Sequence, residues 1–381
     1  MSVASASFST TPSQSVQQSG LWLRSRNWDL AFITFSVIFV PLPYLVYLLL
    51  RDVFAVNDDV SRNAVNAFVA IAVGGPHMMS TFLRTGLDKD FNRRYPMLIR
   101  SSIIIPIVVV SLAFLSIELL LTVFFFWAAT HVLHQIIYVV ELYAHKESKF
   151  VRHNKIQFWS RMIDYGVIMT CLFPWAAYKI SQGEQGFMVG VNDLTTVIPK
   201  LFQAQWFFIL MTGIFLLALV LFLGKTVWEL RTNRLNWPKT VFLLLTVTVA
   251  FIIPSLPNLD TAFQGLNTWH SFQYLALTFY IVKLKQKAGD LEKDAPIVAR
   301  FAKRTKDSKG LFLLSTIMLV GSLVVFFVVF ALSNMLRPGL ADANVHFDTA
   351  YYTGILSFLW IHYYHDHFLF TNFEALDQAY T

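Results

Sequence analysis

Hydrophobic residues in this chain run in long unbroken blocks rather than alternating with polar ones. A helix of about 20 apolar residues spans a bilayer. Ten blocks approach that length: 29–50, 65–83, 102–117, 119–143, 160–179, 203–224, 239–256, 262–283, 311–335 and 349–371. The pattern predicts an all-α, polytopic transmembrane helical bundle, not the short alternating segments of a barrel. The run from Ser101 to Tyr143 is too long for one span and is divided near Ser116 and Glu118, by a tight turn or a bend in one long helix.

The connecting segments orient the bundle. Basic residues precede the first span (Arg24, Arg26) and follow the second (Arg84, Lys89, Arg93, Arg94, Arg100) and the fourth (Lys146, Lys149, Arg152, Lys155). They also follow the sixth (Lys225, Arg231, Arg234, Lys239) and the eighth (Lys283, Lys285, Lys287, Lys293, Arg300). In the intervening loops Asp58 and Asp59 offset Arg51 and Arg62, and 254–262 holds no base. This strict alternation predicts that both termini are cytoplasmic and that the chain is a multi-pass protein of the cell (inner) membrane. Residues 1–24 are expected to be a disordered tail, 25–371 one transmembrane domain and 372–381 a short tail. The start of the chain lacks the basic and apolar regions of a cleavable signal. No internal repeat is visible, which weakens a transporter built from inverted halves.

Composition agrees with that class. Of 381 residues, 56% are hydrophobic and 14% charged, and mean hydropathy is +0.54. An average soluble domain carries roughly 25% charged residues, so a disordered chain and an ordinary soluble enzyme are excluded. The net charge of +7 follows from the basic loops, and no nucleic-acid partner is expected. The single cysteine, Cys171, excludes a disulfide framework or thiolate metal site and is expected as a small buried hydrophobe.

Polar groups at membrane depth are costly, so each is a functional candidate. Seven of ten histidines fall inside spans: His77, His131, His134, His270, His362, His365 and His367. They lie on the second, fourth, eighth and tenth spans, which all run from outside to inside. At about 1.5 Å per residue, all sit roughly 10–20 Å from the cytoplasmic boundary. The fourth span carries His131-Val-Leu-His134-Gln135, and its stripe continues through Tyr138, Glu141 and His145. The tenth carries His362-Tyr-Tyr-His365-Asp366-His367, and the eighth carries Asn267, His270, Gln273 and Tyr274 on one side. The second carries Gly74-Gly75-Pro76-His77, where Pro76 kinks the helix and the glycines admit a close neighbour, with Thr81 and Arg84 following. All seven histidines are candidate metal ligands, with Asp366 as ligand or as a group that orients one. Glu141, Gln135, Gln273 and Tyr274 are candidate catalytic or orienting groups. Asp164 is expected to pair with Arg161 within its helix, Asp29 to be interfacial, and His145, His153 and His346 to be solvated.

Clustered neutral imidazoles with a carboxylate suit iron, copper, zinc or nickel, and one or two ions satisfy the count. His-x-x-His-Gln, His-x-x-Gln-Tyr and His-x-x-His-Asp-His resemble the histidine boxes of membrane desaturases and hydroxylases. Gly74, Pro76 and His77 match the Gly-x-Pro-His motif of the Brp/Blh-type bacterial β-carotene dioxygenases, which the chain also resembles in spreading histidines over several spans. These resemblances imply a non-haem iron oxygenase, hydroxylase or desaturase that uses O2 on a lipophilic substrate: an acyl lipid, isoprenoid or carotenoid. No nucleotide or flavin motif appears, so any electrons are expected from a separate protein. Two other readings stay open: a haem protein with axial histidines carrying electrons, and a transporter that relays protons or a metal.

Overall fold

The computed structural model describes residues 20–148, 155–184, 186–190, 192–252, 255–256, 259–304, 308–336 and 343–371. The tail expected over 1–24 lies outside these residues as far as 19, as do 372–381 and His153. Near residue 21 the chain is already held. Leu21 and Leu23 are buried, and the Asp29 carboxylate accepts from the Leu23 and Arg24 amides (2.7 and 3.1 Å) and the Tyr143 hydroxyl (3.0 Å). Asp29 is therefore a buried cap, not an interfacial charge.

Among the described residues the fold is all-α apart from one small hairpin, β1 (Met188–Val189) with β2 (Asn192–Asp193). We number the long helical segments α1 (Arg26–Val53), α2 (58–83), α3 (Pro96–Leu115), α4 (Ile117–Ser148), α5 (155–181), α6 (Gln205–Arg231), α7 (Trp237–Ile252), α8 (Leu259–Lys287), α9 (Lys309–Leu336) and α10 (Ala343–Thr371). Five of them, α1, α3, α4, α6 and α9, are long and apolar enough to cross a membrane, and α7 is a shorter apolar helix. The outer faces of α6 and α9 expose Leu217, Val220, Phe327 and Val328. Such an unbroken apolar surface suits lipid rather than water. The other long helices fall below that hydropathy because they carry the polar groups of the interior or, in α5, a break at Cys171 before Pro174.

The divided run resolves as a tight turn. Ser116 is extended (φ −160°, ψ 108°) between α3 and α4, and its hydroxyl accepts from the Leu119 amide at 3.2 Å. It is an N-cap that lets α4 start one residue after α3 ends. In α2 a π-turn over Ala70–Gly74 precedes Pro76, which has no N–H to give to the preceding turn. Cys171 is buried, as a small hydrophobe should be.

α8 runs through the centre and packs against α1, α2 and α4. The approach to α1 requires a glycine: a Cβ on Gly265 would lie 2.1 Å from the Val40 carbonyl oxygen. Backbone cannot yield as a side-chain tip does, so Gly265→Ala is expected to destabilise the bundle by about 3 kcal/mol, the upper end for overpacking. Thermal unfolding in detergent reads this, and an unchanged midpoint would contradict the packing. His346, expected in solvent, is buried and hydrogen-bonds Ser333 Oγ through Nδ1 at 2.8 Å, tying α10 to α9.

Charges inside the bundle are paired. Asp164 does not meet Arg161. It sits fully buried between Lys225 of α6 and Lys239 of α7 (3.0 Å to Lys239 Nζ). Arg161 instead reaches Glu141 of α4 through Nε at 2.9 Å. Two helical residues three apart are neighbours on a surface, but a partner on another helix that is already desolvated wins here.

Candidate metal centre

Four histidines from four helices converge: His77 of α2, His131 of α4, His270 of α8 and His362 of α10. All are buried, and one ligand nitrogen from each lies within 4.8 Å of the others. Ring centroids follow a closed circuit, His77 to His270 (4.7 Å), His270 to His131 (5.0 Å), His131 to His362 (4.9 Å) and His362 to His77 (4.3 Å). The Nε2 atoms of His77, His131 and His362 and both nitrogens of His270 have no hydrogen-bond partner. An unpaired polar group in such a place costs about 1–3 kcal/mol. A cation at the centre of the circuit removes that cost for one nitrogen on each ring. Two nitrogens on one ion with bonds of about 2.0–2.1 Å stand at most about 4.2 Å apart, so the four fit one ion after small side-chain movements.

Hydroxyls behind the rings decide which nitrogen faces inward. Ser271 Oγ donates its one proton to Asn267 Oδ1 (3.2 Å), so its oxygen accepts from His77 Nδ1 at 2.8 Å. Asn267 is itself oriented by donating Nδ2 to Gln264 Oε1 at 3.1 Å. Thr81 Oγ1 donates to Asp366 Oδ1 (3.0 Å) and so accepts from His362 Nδ1 at 2.5 Å. Tyr274 donates to the same carboxylate oxygen at 2.6 Å. These hydroxyls can accept from Nδ1 of both rings, the arrangement in which each turns a lone pair on Nε2 into the centre. Hydrogen-bonded groups behind ligating imidazoles do this in metal sites generally.

The seven candidate ligands thus divide. His365 is buried, but both of its nitrogens are taken, Nδ1 by Thr85 (3.0 Å) and Nε2 by Ser102 (2.7 Å). His134 is half-buried and His367 exposed, and their rings face each other at 5.1 Å, apart from the four. Of the orienting candidates, Asp366 and Tyr274 stand directly behind His362. Gln135 donates to the His270 carbonyl oxygen (3.1 Å), and Gln273 to the Ile33 carbonyl oxygen (2.7 Å), so both tie helices together. Glu141 is occupied by Arg161. Arg84 is half-buried and lies near Tyr138 and Asp366, inside the bundle rather than at a boundary. Sequence reasoning named Asn267 but missed Ser271 and Gln264, and with them the seam Gln264–Asn267–Ser271. Its signal was present, since those residues recur at spacings of three and four beside His270.

The Thr81 relay makes a prediction. Thr81→Ala frees the His362 ring and strips a donor from Asp366, and should weaken metal binding about 10–100-fold. Thr81→Ser should keep wild-type affinity. Competition with a chelator distinguishes the two, and equal affinities for wild type and Thr81→Ala would remove Thr81 from the site.

On one side of the histidine layer lies a cavity of about 420 Å³, within the usual range of about 300–1,000 Å³ for small-molecule pockets. It is lined mostly by apolar side chains, including Met78, Phe124, Phe125, Phe263, Leu356 and Leu359. These residues precede the histidines along α4, α8 and α10 and flank His77 on α2. Tyr363, at the inner end, stacks on His131 at 4.1 Å, and Asn267 joins the cavity wall to His77 through Ser271. Ile71, Val320 and Leu323 also line the cavity, and all three are more than half exposed on the outer apolar face. The cavity therefore opens sideways between α2 and α9. Gly75 permits that contact, since a Cβ there would stand 2.4 Å from Leu319, at the break within α9.

No protein-family model matches this chain, and no curated protein or solved structure matches it.

Proposed function

We propose that this chain is a ten-span enzyme of the cell membrane, with both termini cytoplasmic, that holds one non-haem iron ion between His77, His131, His270 and His362. It uses O2 to oxidise a lipophilic substrate, as the resemblance to membrane desaturases, hydroxylases and β-carotene dioxygenases implies. The observation that carries this reading is the convergence of four unpaired imidazoles beside an apolar cavity with a lateral mouth. When bound, an iron ion held by His77, His131, His270 and His362 would supply O2 activation. The protein's own groups do the rest. Thr81 and Ser271 fix the lone pairs, and Asp366, behind Thr81, places a carboxyl group beside the four imidazoles. The cavity takes the apolar chain of a membrane-dissolved acyl lipid, isoprenoid or carotenoid and excludes water, with Tyr363 setting the approach to the centre. Any electrons required come from a separate donor protein.

Four imidazoles in mutual edge contact fill the space that a porphyrin between two axial histidines needs, which disfavours the haem reading. The test is metal analysis and the visible spectrum of purified, detergent-solubilised protein expressed with added iron. About one iron per chain without a haem Soret band is the expected result. A Soret band, or no transition metal, would overturn the proposal.

The cavity is tested separately. Ala70→Phe fills part of its wall and should leave metal content unchanged while reducing co-purified apolar lipid at least about threefold, a loss within what one altered apolar contact brings. Lipid extraction with mass spectrometry reads the outcome, and undiminished lipid would remove the cavity from the substrate path.

A further inference from the structure

The four-histidine centre is closed off: His77, His131, His270 and His362 are each at most 4% exposed. An ion that enters it must shed water within an apolar bundle. On the side away from the cavity, His134 of α4 and His367 of α10 face each other with ring centroids 5.1 Å apart. They lie three and five residues beyond His131 and His362, or roughly 4.5 and 7.5 Å along the helix axes. Neither ring has a hydrogen bond to any described residue. Their spacing suits a shared cation. With metal–nitrogen bonds of about 2.0–2.1 Å each ring centroid stands roughly 3.2 Å from the ion, and a tetrahedral angle puts two centroids roughly 5.2 Å apart.

One buried ring, Phe370, touches a member of each group. The Phe370 ring is 5.4 Å from His134 and 5.9 Å from His131, and it also stacks on Tyr138 at 4.7 Å. Exposure falls in the same direction: His367 is exposed, His134 half-buried, and Phe370 and His131 are buried. A hydrated ion meets two imidazoles at the edge of the bundle, and four more lie buried deeper.

We propose that His134 and His367 form an outer capture site for a divalent transition metal, which they pass by Phe370 to the four-histidine centre. The relay rests on reading that centre as a metal site; the capture site itself does not. Substrate and metal then approach the centre from opposite sides, the substrate through the lateral cavity and the metal through the histidine pair.

The probe is Co(II) alone, added to metal-stripped full-length protein in detergent. In the His77→Ala/His362→Ala variant one weak site should remain by titration calorimetry, and adding His134→Ala/His367→Ala should abolish it. In protein with the inner four intact, His134→Ala/His367→Ala should slow filling of the inner centre at one equivalent of Co(II) about tenfold or more and leave the final occupancy of that centre unchanged. His134→Gln/His367→Gln should do the same, which separates loss of the ligands from loss of packing. If the inner-site variant binds no ion that depends on His134 and His367, the capture site falls. If it does bind one but loading is unchanged, the relay falls. If the pair binds Co(II) while the intact inner four never do, the capture site stands and the four-histidine proposal fails instead.

Discussion

Replacing His362 by alanine is expected to empty the metal centre. On the proposed iron centre, iron in the purified protein should fall from about one per chain to below a tenth, and the proposed oxygenase activity should fall with it. His362 is the member of the circuit most firmly held, with Nδ1 on Thr81 and Asp366 and Tyr274 behind that hydroxyl. Its removal takes away one of four nitrogens and also the ring that Thr81 and Asp366 hold, a more severe loss than the 10–100-fold typical of a group that only supports a ligand. His365→Ala is the control on the same helix. Its nitrogens are spent on Thr85 and Ser102, so the variant should keep its iron. Elemental analysis of the two proteins side by side decides the matter. Full occupancy in His362→Ala, or equal loss in both, would show that the four rings do not act as the site.

The second large effect concerns stability. Asp164→Ala leaves Lys225 and Lys239 buried on α6 and α7 without the carboxylate both of them meet. Breaking a buried pair from one side costs about 3–5 kcal/mol. The lower end is expected, because Glu229 (3.7 Å from Lys225) and Glu147 (4.0 Å from Lys239) retain part of the compensation. Replacing the buried charges together, Asp164→Leu with Lys225→Met, Lys239→Met and Glu229→Gln, should recover much of the loss. Glu141→Ala supplies the contrast. Its partner Arg161 is 29% exposed, and water takes over, so the cost should be within about 1 kcal/mol. Unfolding midpoints in one detergent measure all three, and a drop for Glu141→Ala as large as for Asp164→Ala would refute the account.

Much of the fold was legible because the sequence signals are local. Ser116 reads as a helix break because its hydroxyl can cap the next turn, and the bond to the Leu119 amide is that cap. Pro76 reads as a distortion because it has no N–H, and a π-turn precedes it. The apolar blocks read as helices, though α2, α8 and α10 are less apolar than a lone span requires. Their polar faces meet one another, which no single block reveals.

The site was legible at the level of depth but not of rotation. Histidines at one height on four helices follow from counting residues. Whether a ring turns inward depends on the angle of its helix about its own axis and on what stands opposite. His362 and His365 are three residues apart and equally buried, yet one faces three other imidazoles and the other two hydroxyls. Asp164 shows the same limit, since its neighbour in sequence is Arg161 and its partners are on α6 and α7. The sequence by itself determined the helical class, the helix breaks and the layer of imidazoles, because periodicity, caps and hydropathy act over one or two turns. Only the tertiary structure decided which four rings share a centre, which hydroxyls aim them and where the cavity opens, because those contacts join residues some 50–280 positions apart and depend on how whole helices pack.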